Sequence, residues 1–402
     1  MAPLSALKNW TPAQKNVVMA SFLGWMLDAF DFFLLVFVIK DVAAEFGVAK
    51  KEVAFAVTLT LAFRPLGAFL FGRLADRFGR RPVLMIDVAL YSLFGLLTAF
   101  ASSLTSFLVI RSLFGIAMGG EWGIGASLTM ESIKAEARGP VSGLLQSGYP
   151  LGYLLASVVY TVLFNTVGWR GMFIVSAAPA LLVLYIRRHV PESPGWNRRS
   201  AGASNFLEVL HKHWRLALYC IVLMTAFNFF SHGTQDIYPT FLQEQHHFDT
   251  HTTGIIAIIY NLGAIAGGWI FGTWSQALGR RRTIIIAALA ALPLVYLWAY
   301  SSTFVGLATG AFLMQVCVQG AWGVIPAHLN ELSPPEVRAT FPGTIYQLGN
   351  LIASSNAVLQ TTIAANQGEN YAFALASVAA AAAIAIATLA ALGREAREAQ
   401  LS

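Results

Sequence analysis

Twelve long apolar stretches constrain the fold of this chain more than any other feature of its sequence. About 20 consecutive apolar residues form an α-helix long enough to cross the hydrocarbon core of a bilayer. Such windows predict spans at residues 17–39, 52–73, 83–101, 105–130, 139–164, 170–187, 215–242, 253–276, 283–300, 304–330, 338–362 and 371–391. Only 11% of the 402 residues are charged and 56% are hydrophobic, outside the usual range of soluble domains. We therefore expect an all-α membrane protein with twelve transmembrane helices.

Basic residues are distributed unevenly among the loops that join these spans. If the N-terminus is cytoplasmic, the inner side holds 20 Lys and Arg residues, the outer loops hold four, and two lie within spans. Cytoplasmic loops carry an excess of Lys and Arg, so we predict a multi-pass protein of the cytoplasmic (inner) membrane with both termini inside. The net charge of +6 then reflects topology, and we expect no nucleic-acid partner. The N-terminal segment lacks the short apolar core of a removable signal peptide.

The two halves of the chain repeat each other at an offset of 200 residues. The matched positions are Gly72 with Gly272, Gly79 with Gly279, Trp122 with Trp322, Gly123 with Gly323, Glu136 with Glu336, Arg138 with Arg338, and Gly143 with Gly343. Parallel repeats in transporters place the substrate site between the halves, near the middle of the membrane. We predict two pseudo-symmetric six-helix bundles, residues 1–190 and 215–402, joined by a cytoplasmic linker loop of residues 191–214.

A loop rich in glycine and arginine joins the second and third predicted spans. It reads GRLADRFGRRPVL from Gly72 to Leu84 and resembles the signature loop of the major facilitator superfamily. The resemblance implies the twelve-helix fold of that superfamily, and a loop that latches neighbouring helices in one of two states. The latch residues that it implies are Gly72, Asp76, Arg77, Gly79 and Arg80.

The first, second and fourth spans each carry charged residues at membrane depth. Asp28 and Asp31 are in the first span, Arg64 is in the middle of the second, and the fourth holds Arg111 and Glu121. A lone arginine there costs at least about 2.5 to 3.5 kcal/mol on insertion scales, so we expect Arg64 to pair with Asp28 or Asp31. Its planar fork also holds a carboxylate by two hydrogen bonds, which makes it a candidate for binding an organic anion. A purely structural arginine with an aspartate partner is the alternative.

The seventh span has a polar face in an otherwise apolar helix. At roughly 100° per residue, one arc of about 100° holds Asn228, Ser231, His232 and Gln235, with Asp236 at its edge. Ser and Asn in membranes often only join helices, but ionisable groups there usually serve function. Because an imidazole and a carboxylate stand four residues apart on this face, we predict that it meets the substrate.

Several segments together resemble one group within the superfamily. The segments GWMLDAFDFF, TLAFRPLGAFLFG and RSLFGIAMGGEWG of spans one, two and four resemble the sialate:proton symporter family. The polar residues of the seventh span, from Asn228 to Thr240, resemble the pattern of fungal lactate and pyruvate permeases of the Jen type. The resemblance implies proton-coupled uptake of short monocarboxylates such as lactate or pyruvate. The site residues that it implies are Arg64, Asn228, His232, Gln235 and Asp236.

Two pairs of residues are candidates for carrying the coupled proton. An organic anion beside Arg64 would be repelled by ionised aspartates, so substrate and proton should bind together. We assign the proton to Asp28 or Asp31. The alternative pair is Asp236 and His232, because imidazole titrates nearest physiological pH.

Other polar residues have both a functional and a structural interpretation. Glu121 is a further proton-coupling candidate, or a structural residue that reaches Arg111 only through helix bending or bound water. Candidate cavity-lining residues in spans five and eleven, for which helix packing is the alternative, are Tyr149, Tyr346, Gln347 and Asn350. Asn228 and Gln235 could bond the hydroxyl or keto oxygen beside a substrate carboxylate.

Signatures of other functions do not occur in the sequence. It contains no P-loop, no G-x-S-x-G elbow and no H-E-x-x-H motif, so we expect no enzyme and no catalytic residue. His247 and His251 have helical ligand spacing but lack companion ligands, so we expect no metal. We predict a monomer in the bilayer, without a cofactor other than the coupling proton, that binds a small organic anion. The alternatives are a carrier of sialic acid or another organic acid, and a transporter-like sensor.

Overall fold

The computed structural model describes residues 10–197, 206–397 and 399–401, and the regular elements in these ranges are helical. The α-helices, in chain order, are α1 Pro12–Phe46, α2 Lys50–Phe78, α3 Arg80–Thr98, α4 Leu104–Ser132, α5 Arg138–Val175, α6 Ala180–His189, α7 Pro194–Asn197, α8 Phe206–Gln235, α9 Tyr238–Glu244, α10 Thr250–Leu278, α11 Arg280–Tyr300, α12 Phe304–Trp322, α13 Ile325–Leu332, α14 Thr340–Ala353, α15 Asn356–Asn366 and α16 Tyr371–Leu392. Two 3₁₀ turns, Ala135–Ala137 and Pro335–Val337, precede α5 and α14.

These helices form twelve spans, so the predicted membrane fold is confirmed. The helical stretch Ala135–His189 has 55 residues, enough for two spans, and it breaks at Gly168 (φ 62°, ψ −177°). Three other spans are each made of two helices in sequence, namely α8 with α9, α12 with α13, and α14 with α15. The remaining seven spans are single helices, and α7 is too short to be one.

Helix caps explain why the helices extend beyond the predicted spans. The apolar window predicts residues 17–39 for the first span, but α1 runs from Pro12 to Phe46. Thr11 caps its N-terminus by accepting a hydrogen bond from the Gln14 N–H, and Gly47 ends it in the left-handed region (φ 64°). Such caps satisfy the free backbone groups of a helix end. Hydropathy therefore detects the apolar middle of the helix and misses its polar ends.

The two halves repeat their helices in one register. The bounds of α2 and α10, at residues 50–78 and 250–278, differ by 200 at both ends, as do the two 3₁₀ turns. The halves meet chiefly along α5 against α10 and along α2 against α14. The boundaries of the linker at 191–214 stay a prediction, and residues 198–205 within it lie outside the described ranges.

Glycines allow the two halves to approach closely at one end of the molecule. A Cβ on Gly143 of α5 would collide with the carbonyl oxygen of Gly268 in α10, and one on Gly123 would lie 2.7 Å from the Cα of Gly343. Small residues permit this approach of helix backbones in membranes. We call this end of the molecule, where the loop after α2 also lies, the latch end.

Candidate functional site

A cavity of about 520 Å³ lies between the two halves and is lined by helices from both. Its polar lining consists of Arg64, Gln146, Asn228, Ser231, His232, Gln235, Asp236, Asn261, Gln315, Gln319 and Asn350. Its aromatic lining consists of Trp25, Phe32, Phe33, Phe37, Tyr149, Tyr153, Tyr260, Trp322 and Tyr346. Arg64 is the one guanidinium among these described lining residues. The cavity therefore combines an apolar wall with a localised positive charge, a combination that suits an organic anion.

Arg64 projects from α2 into the wall of this cavity and is only 1% exposed. Its Nη2 lies 3.7 Å from Asp28 Oδ2 of α1, which is beyond ordinary hydrogen-bond distance. Its Nε and Nη2 have no hydrogen-bond partner among the described residues, and its guanidinium carbon lies 5.9 Å from the centre of the Trp25 ring. The guanidinium is held in place, and these two donors are buried in the cavity wall without a hydrogen-bond partner in this conformation.

Asp31 pairs with a different arginine. Its Oδ1 lies 3.8 Å from Arg111 Nη1 of α4, and both side chains are fully buried. Arg111 also stacks against Phe114, 3.9 Å from the ring centre, and does not reach the cavity. Of the two partners expected for Arg64, the structure therefore places Asp28 beside it. The expected approach of Arg111 to Glu121 does not occur, because Asp31 occupies that position.

His232 on α8 lies between two acceptors. Its Nδ1 is 3.1 Å from Asp236 Oδ1, and its Nε2 is 2.8 Å from Asn350 Oδ1 of α14. A neutral imidazole donates from one nitrogen and accepts at the other, and an amide can do either, so the ring bonds the Asp236 carboxylate and the Asn350 amide at the same time. His232 is therefore bound to Asp236, which directly follows the last residue of α8, and to Asn350 across the bundle.

A network of amides continues along the same face of α8. Gln235 Nε2 donates to Gln315 Oε1 at 2.9 Å, and Gln315 Nε2 donates to Thr234 Oγ1 at 3.0 Å. Asn228 Nδ2 donates to the Met224 carbonyl at 2.7 Å, which leaves its Oδ1 for other donors. The sequence interpretation missed Gln315, Gln319 and Asn261. Their lone polar side chains in apolar helices α12 and α10 were the available signal.

Aromatic rings close the cavity towards the latch end. The Trp122 and Tyr346 rings have centroids 4.8 Å apart, Tyr346 and Trp322 are 5.4 Å apart, and Trp25 and Tyr149 are 5.2 Å apart. The predicted lining residues Tyr149 and Tyr346 both belong to this layer. Predicted Gln347 is buried but does not line the cavity. Behind the layer, α4 and α14 touch at the glycines described above, so the path to the latch end is shut in this conformation.

Asp76 joins the two halves at the latch end. Its carboxylate accepts hydrogen bonds from the backbone N–H groups of Ala339 and Thr340, both at 3.0 Å, and from Thr340 Oγ1 at 2.6 Å. It thereby caps the N-terminus of α14, where a negative charge is favoured. Arg80 lies 3.2 Å from Asp76 and 3.2 Å from Glu131.

The other predicted latch residues have different positions. Gly72 packs directly on the backbone of Thr340, since a Cβ there would lie 2.6 Å from the Thr340 Cα. Gly79 links α2 to α3 with φ 107°, a conformation that L side chains rarely adopt. Arg77 is exposed over the Phe78 ring, 5.1 Å from its centre. Arg77 is therefore not part of the buried contacts around Asp76.

The latch end also holds the corresponding contacts with the roles of the two halves exchanged. Gln276 of α10 accepts from the Gly139 N–H at 2.9 Å, and Arg280 lies 2.8 Å from Glu331. Two longer pairs cross between the halves, Arg138 with Glu331 and Arg338 with Glu131, both at 3.8 Å. The sequence interpretation missed Glu131 and Glu331 as partners, although they stand 200 residues apart in the repeat.

Glu192 supports the latch end from the segment between α6 and α7. It accepts hydrogen bonds from the backbone N–H groups of Arg80 at 3.0 Å and Arg81 at 3.2 Å, and so caps α3. Burial raises the pKa of Glu192, while these hydrogen bonds and one from the Ser193 N–H oppose that shift.

Glu121 does not line the cavity. It is fully buried in α4, and neither carboxyl oxygen has a hydrogen-bond partner within the described part of the chain. Asp87 of α3 is buried in the same way. In the described ranges, no group of three His, Cys, Asp or Glu side chains could hold a metal ion.

Known proteins resemble this chain both in sequence and in structure. The family model described as Major Facilitator Superfamily matches residues 21–235 and 221–402. A carboxylic acid transporter protein homolog of Saccharomyces cerevisiae is 28% identical over 389 residues, covering 90% of this chain but only 63% of the yeast protein. The sialic acid transporter NanX of Escherichia coli is 26% identical over 379 residues, covering 92% of this chain and 93% of NanX. The structure of the proton:xylose symporter XylE superposes with a TM-score of 0.79 at 19% identity, covering 95% of this chain and 96% of XylE.

Proposed function

The chain belongs to the Major Facilitator Superfamily, and we propose that it is a proton-coupled symporter of short monocarboxylates such as lactate or pyruvate. It is a multi-pass membrane transporter rather than an enzyme. Relatives named as transporters of carboxylic acid and sialic acid support a small organic anion as substrate. The coupling to protons and the restriction to short monocarboxylates go beyond what the names of these relatives state, and they are our proposal.

One observation carries the proposal: Arg64 stands in the wall of the central cavity with a loose ion pair and free donors. Its guanidinium is 1% exposed, and its nearest carboxylate is 3.7 Å away. An arginine fork binds a carboxylate by two parallel hydrogen bonds. Because Arg64 is buried, that interaction is stronger than at an exposed surface. The substrate carboxylate therefore binds at Arg64.

Coupling follows from the position of Asp28. When the substrate carboxylate takes the Arg64 donors, Asp28 loses its partner while it remains fully buried. An unpaired buried carboxylate is strongly unfavourable, so Asp28 binds a proton as the anion arrives. Asp31 keeps its own partner, Arg111, which favours Asp28 as the carrier.

His232 and the amides of α8 recognise the rest of the substrate. Asn228, His232 and Gln235 lie across the cavity from Arg64, on the other half of the molecule. They contact the hydroxyl or keto oxygen next to the substrate carboxylate. A substrate held by both halves draws them together, which is what alternating access requires.

The conformation described here opens away from the latch end. We assign the latch end to the cytoplasmic side, because the basic loops lie there. In that orientation both termini are cytoplasmic, and the cavity faces the outside, ready to take up substrate. The Asp76 contacts then hold the inner side closed until substrate and proton have bound.

Cavity size favours a second candidate, a larger organic acid such as sialic acid. A volume of about 520 Å³ lies in the range of pockets that hold drug-sized ligands, and it leaves room beyond lactate. The similarity to NanX agrees with this candidate.

Uptake into proteoliposomes tests the proposal. With an inward proton gradient, labelled lactate should accumulate, and a protonophore should abolish the accumulation. Competition by acetate, lactate, pyruvate, succinate and sialic acid then ranks the substrates. Uptake that ignores the gradient would remove the symport assignment, and competition by sialic acid alone would select the second candidate.

A further inference from the structure

The core of the N-terminal half holds more buried acids than buried bases. Asp28, Asp31, Asp87 and Glu121 face two buried arginines in this region, Arg64 and Arg111, and each of the six is at most 1% exposed. The ion pairs of Asp28 and Asp31 use both arginines. An uncompensated buried charge costs several kcal/mol. Asp87 and Glu121 are therefore neutral acids in the resting protein, each with a bound proton.

Glu121 lies against α1, one helical turn from Asp28. A Cβ on Gly24, four residues before Asp28, would collide with Glu121 Oε1, and one on Gly125 would lie 3.4 Å from the same atom. The absence of side chains at these two glycines creates the space for the carboxyl group. The charged or titratable groups around Glu121 are Asp28 on α1, Arg64 on α2, and Asp87 and Tyr91 on α3. Glu121 is thus next to the proposed proton carrier.

A small void of about 10 Å³ adjoins Glu121. It is lined by Ser21, Trp25, Glu121, Trp122, Gly125, Ala126 and Leu145. Three of these present buried polar atoms without a hydrogen-bond partner among the residues described: Ser21 Oγ, Trp25 Nε1 and the Glu121 carboxyl oxygens. A void of this size has room for one water molecule, which needs two to four polar partners. The void reaches the minimum volume for one water, and three of its lining residues carry unpartnered polar atoms that such a water would bond.

The void lies between the central cavity and the latch end. Trp25 lines both the cavity and the void, so one indole separates the two spaces. On the other side, an apolar cluster that includes Val18, Met130, Val141 and Leu145 closes the path. A proton at Glu121 is therefore near the substrate but cannot leave towards the latch end in this conformation.

We propose that the void is a water-binding proton-relay site and that Glu121 passes the coupled proton from Asp28 towards the cytoplasm. The inference rests on the proposed symport. Once the apolar cluster opens, the water accepts the proton of Glu121 and releases one of its own to the cytoplasmic solvent, so that one O–H bond forms for each that breaks. The Glu121 carboxylate then takes the proton from Asp28, which pairs again with Arg64 as the substrate leaves. One proton crosses with each substrate, and Glu121 ends protonated, as it began.

Separating proton flux from substrate exchange tests the relay. Glu121→Gln keeps the shape and hydrogen bonding of the side chain but carries no transferable acid proton. In proteoliposomes we expect this variant to exchange labelled lactate at equal pH at nearly the wild-type rate. Proton-driven accumulation and lactate-induced proton influx, followed with an internal pH dye, should fall at least about tenfold, as for loss of one proton-transfer group.

Asp87→Asn is the matched control, because Asp87 is an equally buried neutral acid that does not line the void. It should keep proton-driven accumulation. Full coupling in Glu121→Gln, or equal loss in both variants, would overturn the relay. If the wild type itself shows no proton-driven uptake, the proposed symport fails instead, and that outcome is distinct.

A second measurement does not depend on any substrate. An experimental structure at a resolution that shows ordered waters should reveal one water within hydrogen-bond distance of Ser21 Oγ, Trp25 Nε1 and Glu121. Ser21→Ala should weaken or remove that water. A well-defined void without solvent density would contradict the relay even if Glu121→Gln fails to fold.

Discussion

The two halves share one arrangement of helices but differ in what their cores contain. Positions related by the offset of 200 pair Asp28 with Asn228, Asp31 with Ser231, Arg64 with Ala264, Asp87 with Ala287, Arg111 with Ala311 and Glu121 with Ala321. In each of these six pairs the ionisable member is in the N-terminal half, whereas His232 and Asp236 of the C-terminal half correspond to Phe32 and Val36. Burying charge is costly unless function uses it. We infer that the N-terminal half binds the anion and the coupled proton, while the C-terminal half supplies the His232–Asp236 pair and the amides that contact the rest of the substrate.

At the latch end, by contrast, the halves remain alike. Arg80 and Arg280 contact Glu131 and Glu331, respectively, and Arg138 and Arg338 cross to the opposite half. Both halves contribute the same arginine and glutamate pairs to this end, which agrees with the persistence of the repeat there. The comparison thus separates a shared conformational device from a binding chemistry that differs between the halves.

Replacing Arg64 should have the largest effect. Arg64→Lys removes the two-pronged carboxylate contact, so we expect transport to fall by at least about 100-fold, as measured by initial uptake rates. Arg111→Lys is the matched control, since Arg111 is buried against Asp31 away from the cavity; it should lower thermal stability more than substrate affinity. Unchanged lactate kinetics in Arg64→Lys would show that the anion binds elsewhere.

At the latch end, Asp76 occupies a position at which the two halves carry different residues, and this difference can be tested. Asp76→Asn loses the negative charge at the N-terminus of α14, so we expect a shift of about 2 kcal/mol, or roughly 30-fold, towards the inward-open state. Gln276→Leu, at the mirrored position, removes the uncharged acceptor of the Gly139 N–H and of Arg280 Nη2 and should shift it only several-fold. Distances between spin labels introduced by Arg77→Cys and Leu278→Cys report the populations. Equal shifts for both variants would refute the asymmetry.

Introducing a carboxylate into the cavity wall of the C-terminal half tests the difference between the two halves further. Asn228→Asp places a negative charge in the cavity at the position related to Asp28, without an arginine partner of its own. We expect lactate affinity at neutral pH to fall about tenfold through repulsion. Affinity should recover as the pH is lowered, because the new carboxyl then becomes neutral. Binding that is equally weak at every pH would indicate a packing defect instead.

The smallest effect should come from the hydrogen bonds of His232. Asn350→Ala removes the acceptor at Nε2, and Asp236→Asn removes the charge beside Nδ1. We expect about five- to tenfold weaker transport for each, the value of a single hydrogen bond. If His232 rather than Asp28 carries the proton, Asp236→Asn will also abolish accumulation while Asp28→Asn will not.

Sequence reasoning recovered the fold because membrane helices leave strong local signals. Apolar windows located the spans, and the repeat at 200 predicted the paired halves. It found Arg64 and His232 because ionisable groups are conspicuous in apolar helices. It did not decide between Asp28 and Asp31, since these two residues lie on one helix face and differ in partner only through the packing of α2 and α4.

Other parts of the site depend on contacts between distant segments. Gln315 and Gln319 were overlooked because a lone amide in an apolar helix has many structural uses. Glu121 was assigned a possible contact with Arg111, but the structure places it over Gly24 of another helix. Neither fact follows from helical periodicity, which describes one helix at a time.

Proton uptake on substrate binding tests the central claim most directly. Lactate is added to the purified protein in weakly buffered solution, and a pH dye measures the protons taken up while binding is followed in parallel. We predict about one proton per lactate for the wild type, because the anion displaces Asp28 from Arg64, and almost none for Asp28→Asn. Lactate binding without proton uptake by the wild type, or undiminished uptake by Asp28→Asn, would contradict the account.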